Sequence, residues 1–146
     1  MIAGAFATDP GIDEKAVTPS VILAAQHKFI RPALGKKLYE RLGETACHEL
    51  LRIFIKPALA LYVRLMLLPT LAASAGNLGI VQPKGQHFSP ADSKSVASLR
   101  KQARSEAGTM MLRAIRHVEE NPARYPDYDR MENILNRVSI SSQIVL

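Results

Sequence analysis

Tryptophan is absent from this sequence, cysteine occurs once, and phenylalanine and tyrosine contribute four residues each. With so few rings, the core must rest on Leu, Ile, Val, Ala and Met. The lone Cys47 excludes an internal disulfide framework and a cysteine-based zinc site. It lies in an apolar helical pattern, which predicts a buried, inert thiol and a protein made in a reducing cytoplasm.

A long unbroken apolar run is also missing. The most hydrophobic stretch, residues 53–75, is interrupted by Lys56, Pro57, Arg64 and Pro69. A charge near the centre of a spanning helix costs about 2.5–3.5 kcal/mol on insertion scales, so this stretch predicts a buried helix and no membrane partner. Residues 1–10 are apolar but lack a basic region, and their run is too short for a signal peptide.

What is present is the balance of a folded chain: 146 residues, 47% hydrophobic and 22% charged, enough for one domain. The net charge of +6 is unevenly placed. Residues 84–117 hold seven Lys/Arg against two acids, and residues 118–146 hold three against five. Such asymmetry suits a basic surface facing nucleic acid or an acidic protein, and it equally suits a solvated helix face.

Residues 1–17, with Asp9-Pro10-Gly11, read as an N-terminal arm, and residues 18–137 as a single helical domain. Thr18-Pro19 is a helix start, a hydroxyl cap followed by a proline whose missing N–H is not needed there. The helix is expected to bury Val21, Ile22, Ala25 and Phe29 and to stop at Pro32. A short helix over 36–42 follows, then one over 46–55 that Pro57 should break. A new, centrally buried helix runs from Pro57 to about Ala73, with a kink at Pro69. The sequence Phe29-Ile30-Arg31-Pro32-Ala33-Leu34 is echoed by Phe54-Ile55-Lys56-Pro57-Ala58-Leu59, which predicts two similar corners.

Residues 78–88 flank a Pro83-Lys84-Gly85 turn and read as a projecting β-hairpin. Ser89-Pro90 repeats the helix-start signal. Val96, Leu99, Ala103, Ala107, Met110, Ala114 and Val118 then form one stripe of a helix ending near Glu120. Roughly thirty residues at ~1.5 Å rise make a rod of about 45 Å, longer than the core needs. One end is therefore free to pack on a partner. Asn121-Pro122 ends the rod, Asp129 is the expected cap of a brief helix to Asn136, and residues 138–146 form an uncharged, extended C-terminal tail suited to strand addition. The fold class is mainly α: a small helical bundle with one long C-terminal helix, a hairpin and a tail.

Chemistry is sparse. His27, His48, His87 and His117 fall on four different elements, each read as a surface or capping residue. His48-Glu49-Leu50-Leu51-Arg52 opens like a zinc-protease helix but places arginine where the second ligand is required. Nucleophile-elbow, phosphate-loop and dinucleotide patterns are lacking. The acid pairs Asp13-Glu14 and Glu119-Glu120 sit at expected exposed ends. The reading is therefore a non-enzyme that uses no metal or cofactor. Lys94, Arg100, Lys101 and Arg104, with Arg113 and Arg116, form basic ridges on the long helix. They are open to non-specific phosphate contact or an acidic partner, without the aromatic interleaving or helix-turn-helix of a sequence reader.

Several stretches carry a resemblance. They are Phe29-Ile30-Arg31-Pro32-Ala33-Leu34-Gly35 with Leu38-Tyr39, Lys56-Pro57-Ala58-Leu59-Ala60-Leu61-Tyr62 with Leu68-Pro69, a Gly79-Ile80 loop, a helix from Pro90, and Glu119-Glu120-Asn121-Pro122 with Tyr125-Pro126. In order and spacing, over residues 18–130, the chain resembles the head–tail connector proteins of tailed bacteriophages and prophages of the Bacteroidetes type. The resemblance implies a structural protein of the virion neck, assembled in the host cytoplasm. It implies a homo-oligomeric ring, commonly a dodecamer, docked under the portal protein, extending the DNA channel and seating a downstream neck or tail protein. Ile80, Val81 and Phe88 of the hairpin and Ile140, Ile144 and Val145 of the tail are then expected at subunit or portal interfaces. The alternative is a small cytoplasmic basic helical protein that binds nucleic acid non-specifically.

Overall fold

The computed structural model describes residues 14–77 and 93–136, and within them the chain is mainly helical, with no β-strand among the described residues. A 3-10 turn, Glu14–Ala16, leads into α1, Pro19–Ala25. Thr18 caps α1 as expected: its backbone is extended and its Oγ1 accepts from the Val21 N–H at 3.3 Å. Ala16 and Val17 pack against the core, so the arm expected over 1–17 gives way to packed chain before Thr18.

Pro32 does not stop the first helix, which corrects the sequence expectation. The chain passes from α1 through a π-helical turn, Gln26–Ile30, directly into α2, Arg31–Leu34. In an ordinary α-helix a proline lacks the N–H that bonds four residues back, and its ring strikes that carbonyl. The wide turn relieves the conflict by adding a residue to the turn just before the proline. The Arg31 N–H reaches the Gln26 carbonyl, five residues back.

The same solution is used at Pro57. A 3-10 turn, Thr45–Cys47, leads through His48 and Glu49 to a second π-helical turn, Leu50–Ile55, and then α4, Lys56–Asn77. There the Lys56 N–H reaches the Leu51 carbonyl. The helix is therefore not broken at Pro57, and the sequence echo encodes two π-turn-to-proline junctions rather than two corners. Burial repeats with the sequence. Ile30 and Ile55, Ala33 and Ala58, and Leu34 and Leu59 are all in the core.

The first helical segment ends at Gly35, whose φ of 80° and ψ of 158° lie where side chains are strongly disfavoured. It starts α3, Lys36–Glu40. Pro69 lies inside α4, and the long helix α5 spans Ser93–Glu120. α4 packs on α5 and on α1, and the second π turn also packs on α5. Ala58, Leu59 and Val63 of α4 share one buried core with a stripe of Ala103, Ala107, Met111, Ala114 and Val118 on α5. The small alanines let the two backbones approach. Met111, not Met110, takes the fully buried place, and Leu99 leaves the core altogether at 50% exposure.

After α5 the chain folds back as a polar corner. The Asn121 side chain donates to the His117 carbonyl at 2.7 Å, closing the helix end. Asn133, fully buried, donates from Nδ2 to the Tyr128 hydroxyl and accepts the Leu135 N–H at Oδ1, both at 2.9 Å. It caps the last helical turn, 134–136, so the expected cap at Asp129 is corrected. Asp129 instead accepts the Met131 N–H within a turn. The hairpin expected over 78–88, the start at Ser89-Pro90 and the tail over 138–146 lie outside the described residues.

Candidate interaction surfaces

Three exposed charged surfaces stand out, and each is built by the helical geometry just described. The first is on the outer face of α5. Ala97, Arg100, Lys101 and Arg104 recur at three- and four-residue steps and line one shallow groove of about 330 Å³. Among the described residues none of these three cations has an acidic partner. Lys94 is exposed on the same helix one turn earlier and is not among the groove's lining residues. The structure thus brings together three of the four basic residues singled out from the sequence. Ile80, Val81, Phe88, Ile140, Ile144 and Val145 lie outside the described residues.

The second surface escaped the sequence reading. His48, Arg52 and Lys56 project from the segment that carries the second π turn, and with Glu49, Leu51 and Ile53 they line a hollow of about 430 Å³. Ile53 is 50% exposed at its edge. Glu49 is engaged elsewhere, forming an ion pair with Arg124. The signal in the sequence is three basic residues, His48, Arg52 and Lys56, at steps of four.

The third surface is the corner that follows α5. Met131 and Ile134 are 75% and 46% exposed, and Glu120, Asp129 and Glu132 are exposed around them in sequence. None of these three acids is ion-paired among the described residues. The corner's other acids are held: Asp127 pairs with Arg41, and Glu119 accepts from the Tyr128 hydroxyl at 3.1 Å and faces Arg130 at 3.6 Å.

Around these surfaces the polar groups do structural work. Arg41 bonds Glu44 and Asp127 together. These bonds raise the Arg41 guanidinium above its ordinary value, and the bond from Arg41 lowers the Glu44 carboxyl. His117, expected at the surface, is half-buried. It stacks on Phe54 and lies 3.1 Å from the Tyr125 hydroxyl through Nε2. His27 meets Tyr39 edge to face, and the Tyr39 hydroxyl donates to Gln26 at 3.0 Å. Cys47 is buried, and burial pushes its thiol pKa up, which suits an unreactive thiol. Among the described residues no cluster of three His, Cys, Asp or Glu could hold a metal ion. No described helix is long and apolar enough to cross a membrane.

Fold and surfaces together define a mainly helical protein with exposed charged and apolar faces. The chain belongs to the Family of unknown function (DUF6712), whose family model matches residues 26–137. That span opens on the first π turn and takes in both proline junctions, α4, α5 and the polar corner. Compared with curated proteins and with solved structures, the chain gives no match.

Proposed function

We propose that this chain is a ring-forming head–tail connector subunit of a tailed phage or prophage. It sits in the virion neck, docks under the portal and joins the DNA-filled head to the tail, and its work is structural rather than catalytic. The observation that carries this reading is the surplus surface of the described fold. α5 is 28 residues long, about 42 Å at ~1.5 Å per residue, and both Leu99 and Leu112 stand at least half exposed on it. A subunit that packs side by side with copies of itself needs such faces, whereas an isolated monomer gains nothing from them. The sequence resemblance over residues 18–130 supplies the biological setting.

In this reading the hairpin over 78–88 and the tail over 138–146 reach to neighbours. Ile80, Val81, Phe88, Ile140, Ile144 and Val145 are the contact residues. Negative-stain microscopy of the purified protein, alone and with portal, tests the proposal directly: closed rings, expected as dodecamers, support it. A protein that stays monomeric at every concentration and never binds portal overturns it.

The groove of Arg100, Lys101 and Arg104 favours a second reading, non-specific binding to nucleic acid phosphates. It expects a mobility shift on duplex DNA that weakens steeply with salt and is lost when the three cations are reversed. No shift at low salt removes it.

A further inference from the structure

Lys36, Arg41, Arg124 and Arg130 each face a carboxylate: Glu40, Glu44 with Asp127, Glu49 and Glu119 respectively. Arg52 and Lys56 do not. Both are exposed, both line the hollow on the second π turn, and neither has an acidic partner among the described residues. The carboxylate in that lining, Glu49, accepts from Arg124, so its charge is already balanced. Arg52 and Lys56 therefore leave the hollow with an excess of two positive charges. His48, exposed in the same lining, adds an imidazole that can donate a hydrogen bond. Like charges along one helical edge repel each other, and a walled hollow concentrates their field. A bound anion relieves that repulsion.

We propose that this hollow binds a small phosphate monoester, its phosphate held by Arg52, Lys56 and His48 and its organic body lying on Leu51 and Ile53. The charges match. A phosphate monoester carries about −1.5 to −2 at neutral pH, whereas each phosphodiester of a nucleic acid strand carries a single negative charge. The Arg52 guanidinium is a fork that can bond two phosphate oxygens, and Lys56 supplies a compact charge beside it. Leu51 and Ile53 belong to the same lining, and Ile53 is 50% exposed. They offer the body of the ligand an apolar wall against which to leave water. The volume of about 430 Å³ suits a small molecule. Nucleoside monophosphates have this chemistry, and inorganic phosphate is its simplest form. The hollow shares no described lining residue with the α5 groove, and the proposal is independent of ring formation.

Isothermal titration calorimetry on the full chain gives the test, with adenosine monophosphate, adenosine and inorganic phosphate as probes. Wild type should bind the nucleotide and phosphate but not adenosine. Arg52→Gln combined with Lys56→Gln should weaken both by at least about tenfold, as expected for lost charge-assisted hydrogen bonds, with the helical circular dichroism unchanged. Lys28→Gln combined with Lys37→Gln removes the same charge from exposed positions on the first π turn and α3, and should bind like wild type. Tighter binding of the nucleotide than of phosphate assigns the hollow to organic phosphates, and equal binding assigns it to free phosphate. Equal losses in the two double variants would reduce the effect to overall charge and overturn the proposal. A preference for duplex DNA without terminal phosphates over the nucleotide, lost with Arg52 and Lys56, would overturn it in favour of a diester surface. Failure of wild type to bind either phosphate probe would also overturn it.

Discussion

Phe54 and His117 stack nearly face to face, their ring centroids 4.6 Å apart and their planes 21° from parallel. Phe54 belongs to the second π turn and His117 to the last turn of α5, so this pair holds together the two segments that frame the core. The Tyr125 hydroxyl meets the edge of the same imidazole, 3.1 Å from Nε2, and Tyr125 is itself buried. A double-mutant cycle on Phe54→Leu and His117→Ala should show a coupling of about 0.5–1.5 kcal/mol in urea unfolding, the range of aromatic pairs in contact. Additive losses would mean that the stack contributes only through burial.

Gly35 is placed where a side chain is strained. Its φ is 80°, and a Cβ built there would lie 2.7 Å from the Glu132 Oε2. The carboxylate end can swing aside, so the backbone sets the cost. Gly35→Ala should destabilise by about 1–3 kcal/mol, as for a side chain forced into a sparsely populated backbone region. Glu132→Ala introduced alongside should recover little of the loss in thermal unfolding. Full recovery would assign the cost to the contact instead.

The two π turns predict an unusual tolerance. Pro32→Ala and Pro57→Ala should each change stability by no more than about 1 kcal/mol, because the wide turns already accommodate the rings. Arg113→Pro, at an exposed position inside the regular helix α5, should cost at least about 3 kcal/mol. Chemical denaturation of the three variants compares them directly. Equal losses at all three positions would remove the accommodating role of the π turns.

The Arg41 bridge predicts an acid-side effect. In the folded protein the bond from Arg41 holds the Glu44 carboxyl below its ordinary value. The unfolded value is near ~4.3, so the contribution is complete above that pH and is lost as pH falls through the lower folded value. Glu44→Gln should therefore flatten the fall in stability between about pH 5 and 3. Because the pair is exposed, added salt should shrink the difference. Identical pH profiles for the two proteins would exclude the bridge as a contributor.

Much of this fold was legible in the sequence, and the exceptions share a cause. The Thr18 cap, the buried Cys47, the central α4 and the alanine-rich stripe of α5 each follow from a local pattern and came out as expected. The sequence predicts stops at Pro32 and Pro57 because the rule for proline assumes a ladder of four-residue bonds, and the π turn changes that ladder. Met111 replaced Met110 because two adjacent methionines differ only in which one the tertiary contact selects. Asn133 took the capping place given to Asp129 because its burial depends on Tyr128 and the folded corner, which no local window contains. Of the surfaces, the α5 groove was visible as a run of basic residues. The hollow of Arg52 and Lys56 was not, since one of its lining residues, Glu49, is held by an arginine 75 residues later.

The π turns have a further consequence for how this chain is divided into inside and outside. Each residue along an α-helix turns the direction of its side chain by about 100°, so one extra residue in a turn rotates everything beyond it by nearly a third of a circle. A single rod can then keep one face inward before the turn and a different face inward after it. In the second rod this lets a basic, solvent-facing edge at Arg52, Ile53 and Lys56 join directly to the buried run Ala58, Leu59 and Ala60. The small widening thus works as a gearbox: the hydrophobic stripe changes sides, and the outward face becomes available for recognition.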